Sequence, residues 1–150
     1  MNTKLLALLL ILLAAACSSG PIAKAALDDE VRRLCAIDGG IKVYRTVTLP
    51  AEKFNEWGQV DFRIPLKRVE KPDSEYFYEW KTDYYQKGNP SLYRNHFRLF
   101  RAYDNALLGE AVGYVRQGGD FYGPWHDSSF GCPSDADITN LEQRVFLKIN

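Results

Sequence analysis

The chain has 150 residues, with 19 basic and 19 acidic side chains and no formal net charge at pH 7. Such a balance supplies no basic footprint for nucleic acid and no polybasic strip for anionic lipid. The length suffices for one hydrophobic core.

The chain opens with Lys4 ahead of an uninterrupted apolar run over residues 5–16. At about 1.5 Å rise per residue, that run covers roughly 18 Å as a helix, well short of the roughly 30 Å hydrocarbon core of a bilayer. It reads as a signal peptide, not a transmembrane anchor. The run ends in Ala14-Ala15-Ala16-Cys17, which resembles the lipobox of bacterial lipoproteins. The resemblance implies that Cys17 is lipidated and becomes the mature N-terminus. In that family an aspartate after the cysteine favours the inner membrane. Ser18 stands there in this chain, which implies the periplasmic face of the outer membrane. Ala14 occupies the place where the family usually has leucine, so an A-x-A cleavage before Cys17 or after Ala25 stays open. The expected organisation is a signal peptide over 1–16, a lipidated tether over 17–25 and a single globular domain over 26–150.

With Cys17 assigned to lipid, Cys35 and Cys132 remain of the three cysteines. In an oxidising compartment two leftover thiols pair. Closing a loop of nearly a hundred residues is worth about 4 to 5 kcal/mol in the chain-entropy model.

Leu27, Val31, Leu34 and Cys35 recur at helical spacing behind Asp28, Asp29 and Glu30, and Gly39-Gly40 ends that helix. Residues 41–48 alternate and are β-branched, predicting a strand. Pro50 opens a helical turn or two that Gly58 closes, and residues 60–64 alternate again as a second strand. Residues 67–74 form a charged loop.

Tyr76, Tyr78, Trp80 and Tyr84 then fall on one side of a strand, with Glu79, Lys81 and Asp83 on the other. In the following strand Tyr93, Phe97, Leu99 and Tyr103 oppose Arg94, His96 and Arg98. A turn over 86–91 that sets Tyr85 against Leu92 fixes every other pair. Asp83 meets Arg94, Glu79 meets Arg98, Phe77 meets Phe100, Tyr84 meets Tyr93, Trp80 meets Phe97 and Tyr78 meets Leu99. Opposite charges and apolar pairs match together, and a one-residue slip destroys both.

Asp104-Asn105 turns the chain into a third strand over 107–116, where Gly109, Ala111 and Gly113 lie on one side and admit a close neighbour, taken here as the N-terminal helix. A Gly/Pro-rich loop runs over 117–133. Ser134-x-x-Asp137 resembles a capped helical turn, and 144–149 favours a last strand. The fold class is α+β: an antiparallel sheet of about five to six strands with an N-terminal helix and one or two short helices.

Little here suggests catalysis. His126, Asp127, Ser128 and Ser129 are consecutive, and neighbours along a backbone diverge instead of converging as a triad must. No cofactor is expected. No metal site is expected either, since the only histidines are His96 and His126 and zinc wants three or four ligands.

Aromatics are the one excess, at 3 Trp, 9 Tyr and 8 Phe. Sheet alternation assigns those of the strand at 76–85 to the core, although stacked aromatics also suit sugar rings. No periodicity explains those of the 118–133 loop, so Tyr122, Trp125 and His126 are the candidate binding residues. The sequence thus describes a non-catalytic envelope lipoprotein with a binding or structural role. Its partners are the membrane through the lipid and an envelope protein or cell-wall component. The alternatives are an inhibitor or immunity protein against a periplasmic toxin or lytic enzyme and, less favoured, a small envelope hydrolase.

Labelled palmitate is expected to enter the wild-type chain and not Cys17→Ser. Equal labelling of both, or a mature N-terminus at Ala26, overturns the anchor.

Overall fold

A computed structural model describes residues 19–67, 74–120 and 126–149, with side chains from Ala23 onward. Cys17 lies outside the described residues. The first element is helix α1, Ser19–Asp38. It starts inside the segment expected to be a tether, because Pro21 is tolerated in a first helical turn and Ala23 to Ala26 continue the helix without a breaker. One turn further on, Lys24 ties the helix to the domain, its Nζ donating to Asp120 Oδ1 at 2.5 Å.

The strands are β1 (Gly40–Val43), β2 (Val47–Leu49), β3 (Tyr76–Gln86), β4 (Ser91–Arg101), β5 (Ala106–Gln117), β6 (Ser129–Cys132) and β7 (Phe146–Lys148), with helix α2 (Ile138–Val145) before β7. An antiparallel sheet runs β3-β4-β5, and β1 and β6 lie end to end along the far side of β5. A separate parallel pair joins β2 to β7. The α+β expectation holds.

The β3–β4 register is the predicted one. Phe77 faces Phe100, Tyr78 Leu99, Glu79 Arg98, Trp80 Phe97, Asp83 Arg94 and Tyr84 Tyr93. One residue differs: Tyr85 is the extra residue of a bulge, so Gln86 and not Tyr85 faces Leu92.

Three expected elements change. The strand over 41–48 breaks into β1 and β2 at Tyr44, because Tyr44 N and Arg45 N both donate to Leu108 O, at 2.8 and 3.0 Å. Leu108 itself is the unmatched residue where β5 shifts register against β4, and β1 leaves the sheet there. Residues 60–64 form no ladder beyond a single bridge from Val60 to Phe54. Their alternation is nonetheless a burial pattern, since Val60, Phe62 and Ile64 pack against the core while Asp61 and Arg63 are exposed. Finally, α2 is capped by Asp137, whose side chain accepts from Asn140 N at 2.8 Å, and not by Ser134. It continues through Val145, so β7 begins two residues later than expected.

The core divides by sheet face. On one face Tyr76, Tyr78, Leu99, Leu108 and Ala111 pack with Leu141, Val145 and Phe146. On the other, Val112, Tyr114 and Leu92 pack with Val31, Leu34 and Cys35 of α1. The helix admitted by the small residues of β5 is therefore α2, not the N-terminal one. A Cβ at Gly109 would lie 2.9 Å from Lys42 O, 3.0 Å from Leu141 Cδ1 and 3.1 Å from Val145 Cγ2. α1 takes the opposite face, where a disulfide joins Cys35 to Cys132 of β6 across 97 positions of sequence, with Cα atoms 5.9 Å apart.

Gly109→Ala is expected to lose about 1 to 3 kcal/mol through overpacking. Gly113→Ala, where a Cβ meets nothing closer than 3.7 Å, is expected to be near neutral. Urea midpoints of the two variants check the contrast.

Candidate functional site

α1 and α2 cover opposite faces at opposite ends of the sheet, and among the described residues half of each face stays open. The two open halves differ in chemistry.

The open half beside α1 is an array of paired charges. Arg94 Nη2 donates to Asp38 Oδ2 at 3.0 Å, and Tyr114 Oη donates to Asp38 Oδ1 at 2.7 Å. Burial opposes ionisation of Asp38, but these hydrogen bonds outweigh it and hold its carboxyl below the ordinary value. Glu110 is bonded to His96 Nε2 at 2.8 Å and accepts from Tyr44 Oη at 2.6 Å. It is held low in the same way, against burial. Glu79 accepts from Arg98 at 2.7 Å and Lys67 at 3.1 Å. Asp83 and Arg94 are cross-strand neighbours yet do not pair with each other: Arg94 turns to Asp38, and Asp83 bonds Lys81 at 2.8 Å. His96 is thus a partner of Glu110.

The open half beside α2 is aromatic. Trp80 stacks on Phe97 with ring centroids 5.4 Å apart and planes at 28°, and Tyr84 sits against Tyr93 at 5.4 Å. Between these pairs lie Thr82 and Asn95, directly opposite each other in the register. Asn95 Oδ1 accepts from Thr82 Oγ1 at 2.8 Å and, more distantly, from Trp80 Nε1 at 3.4 Å. Among the described residues nothing engages the Asn95 amide nitrogen, which leaves it as a donor.

Trp80 is 55% exposed and Tyr84 53%, against 7% for Tyr76 and 3% for Tyr78. The assignment of all four to the core is therefore half wrong. α2 reaches along β3 only as far as Tyr78, whose Oη donates to Glu142 Oε1 at 2.7 Å. Burial pushes the Glu142 carboxyl up, partly offset by that bond.

The loop singled out in the sequence is tied down at its base. Arg116, 2% exposed, donates through Nε to Asp28 Oδ1 of α1 at 2.8 Å, and through Nη1 to Gly118 O and Ser128 O, each at 2.8 Å. Asp120 receives Lys24, and its carboxyl is pushed down by that bond first and by Ser128 next. Asn89 Oδ1 accepts from Gly119 N at 2.6 Å. Gly118 has φ +85°, and a Cβ there would strike Asn89 Oδ1. Tyr122 and Trp125 lie outside the described residues. His126 is exposed.

The signal that would have found the aromatic half-face is Thr82 facing Asn95. A core running past Tyr78 would have to bury both polar side chains.

Trp80→Ala is expected to cost only about 0.5 to 1.5 kcal/mol, the worth of one aromatic pair. Tyr78→Ala is expected to cost about 3 to 5 kcal/mol as a buried aromatic. Equal shifts of the two unfolding midpoints would place Trp80 in the core after all. Compared with protein-family models, with curated proteins and with solved structures, the chain matches none.

Proposed function

We propose that this chain is a non-catalytic lipoprotein of the bacterial envelope, held through Cys17 at the periplasmic face of the outer membrane. In this reading it binds a cell-wall component on its aromatic half-face. The observation that carries it is the exposure of Trp80 and Tyr84 on the side of the sheet whose other half is core. An exposed indole stacked on a second ring offers a flat apolar surface, and Thr82 and Asn95 place hydrogen-bonding groups between two such surfaces. A sugar ring, apolar on its faces and hydroxylated at its rim, suits that combination. The facing half of the sheet supports the choice by contrast, since its charges are already engaged with one another.

Sedimentation with insoluble cell-wall material tests the reading. The full chain is expected to co-sediment, and Trp80→Ala to weaken binding by about thirtyfold, as for a hot-spot aromatic worth about 2 kcal/mol. Trp125→Ala, run in parallel, separates the half-face from the loop. Binding lost with Trp125 and kept without Trp80 moves the site to the loop. No sedimentation, together with a protein captured by cross-linking in intact envelopes, favours the inhibitor or immunity reading.

A further inference from the structure

β3 is an end strand of the described sheet, with β4 on one side only along residues 80–84. Tyr78 N donates to Pro65 O and Tyr78 O accepts from Lys67 N, both at 2.9 Å, so at Tyr78 the backbone groups point away from β4. With a strand period of two, the N–H and C=O groups of Trp80, Thr82 and Tyr84 point the same way. Among the described residues nothing pairs with them. The window is short and bounded. Residues 65–67 occupy one end at Tyr78, and the bulge between Tyr84 and Gln86 ends the regular strand at the other. Its midpoint is Thr82.

We propose that a second copy of this chain pairs antiparallel along this edge, with the two-fold axis through Thr82. In that register Trp80 faces the partner's Tyr84, Thr82 faces the partner's Thr82 and Tyr84 faces the partner's Trp80. All three are outward-pointing positions, and each such pair exchanges two N–H···O bonds. On one face of the joined sheet exposed aromatics meet in both pairs. On the other, Lys81 faces the partner's Asp83 and Asp83 the partner's Lys81, so the ion pair now made within one chain at 2.8 Å becomes a four-charge cluster.

The charges also select the register. Moving the axis to residue 81 sets Lys81 against the partner's Lys81 and Glu79 against the partner's Asp83. Moving it to residue 83 sets Asp83 against the partner's Asp83. Moving it to residue 80 opposes Glu79 to the partner's Lys81 but sets the partner's Thr82 against Tyr78, whose edge residues 65–67 already occupy; within the window, the axis at Thr82 alone opposes unlike charges. Natural sheet edges are usually blunted by charge or distortion, whereas Lys81 and Asp83 are complementary under a two-fold. A two-fold contact is closed, so pairing stops at two copies. This goes beyond the proposed binding role: it joins the same exposed rings into one wider face, and its charge-reversal arms act on the opposite side of the sheet, so the pairing can fail while wall binding holds.

Cross-linking of the full chain in intact cells tests the pairing. In a hydrogen-bonded antiparallel pair facing Cα atoms are about 5.5 Å apart, within disulfide range. Under mild oxidation Thr82→Cys is expected to convert most of the chain to a disulfide-linked dimer. Asp83→Cys, which does not face itself, is expected to stay at the wild-type background. Adding Lys81→Asp or Asp83→Lys to Thr82→Cys is expected to lower the dimer about tenfold, since the axis counts each like-charge contact twice. Mixing those two variants, differently tagged, is expected to restore the dimer between unlike chains. No Thr82→Cys dimer above background, or a dimer indifferent to both charge reversals, overturns the proposal.

Discussion

Strand β5 has to serve two packing partners at once, and the two-residue period of its side chains is the constraint on which the rest of the architecture depends. Gly109 and Ala111 on one side leave α2 room to seat Leu141 and Val145 almost on the backbone. Val112, Tyr114 and Arg116 on the other side present bulk and charge to α1 and β6. The small positions lie toward the start of the strand and the large ones toward its end. The helices are therefore displaced to opposite ends as well as to opposite faces. Neither helix covers a whole face, and the half-covered sheet follows from the order of residues along one strand.

Arg116 shows what the second side demands energetically. A guanidinium 2% exposed is tolerable only when its donors are occupied, and removing a single partner from such a group typically costs about 3 to 5 kcal/mol. Its donors reach α1, both arms of the 117–128 segment and the Ser128 hydroxyl. One side chain thereby joins the helix, the central strand and the loop base. On the open halves the logic reverses. The charged half has satisfied itself internally, while the aromatic half bonds only Thr82 and, more distantly, the Trp80 indole to Asn95 and leaves ring faces in water. That difference marks the aromatic half as the available surface.

Much of this was legible in the sequence because local patterns carried more than one kind of information. The β3–β4 register followed from charge and aromatic pairing acting together, and the Cys35–Cys132 bond from counting thiols. Coverage was not legible. Alternation says which side of a strand a residue is on, but not how far a helix from elsewhere extends over that side, so Trp80 and Tyr84 were grouped with Tyr76 and Tyr78. Likewise, 60–64 alternates because it lies on the core, and no local signal says that it lacks a ladder partner. The short β6 stayed hidden among loop residues because Ser129 to Cys132 acquires its strand geometry only by lying against Tyr114 to Gln117. Arg116 reads in sequence as one more surface charge, since its partner Asp28 is 88 positions away.

The early start of α1 bears on how far this domain can travel. A flexible tether of nine residues spans roughly 15 to 18 Å and turns freely, but a helix beginning at Ser19 leaves a single residue, Ser18, between it and Cys17. If Cys17 carries the lipid as proposed, the domain has almost no leash. Its second turn is latched by Lys24 to Asp120 and its last by Cys35 to Cys132, so rotation of the helix is rotation of the sheet. Such a protein would not sweep a volume in search of a partner. It would hold its surfaces at one height and tilt above the bilayer, and whatever it meets must come to that height.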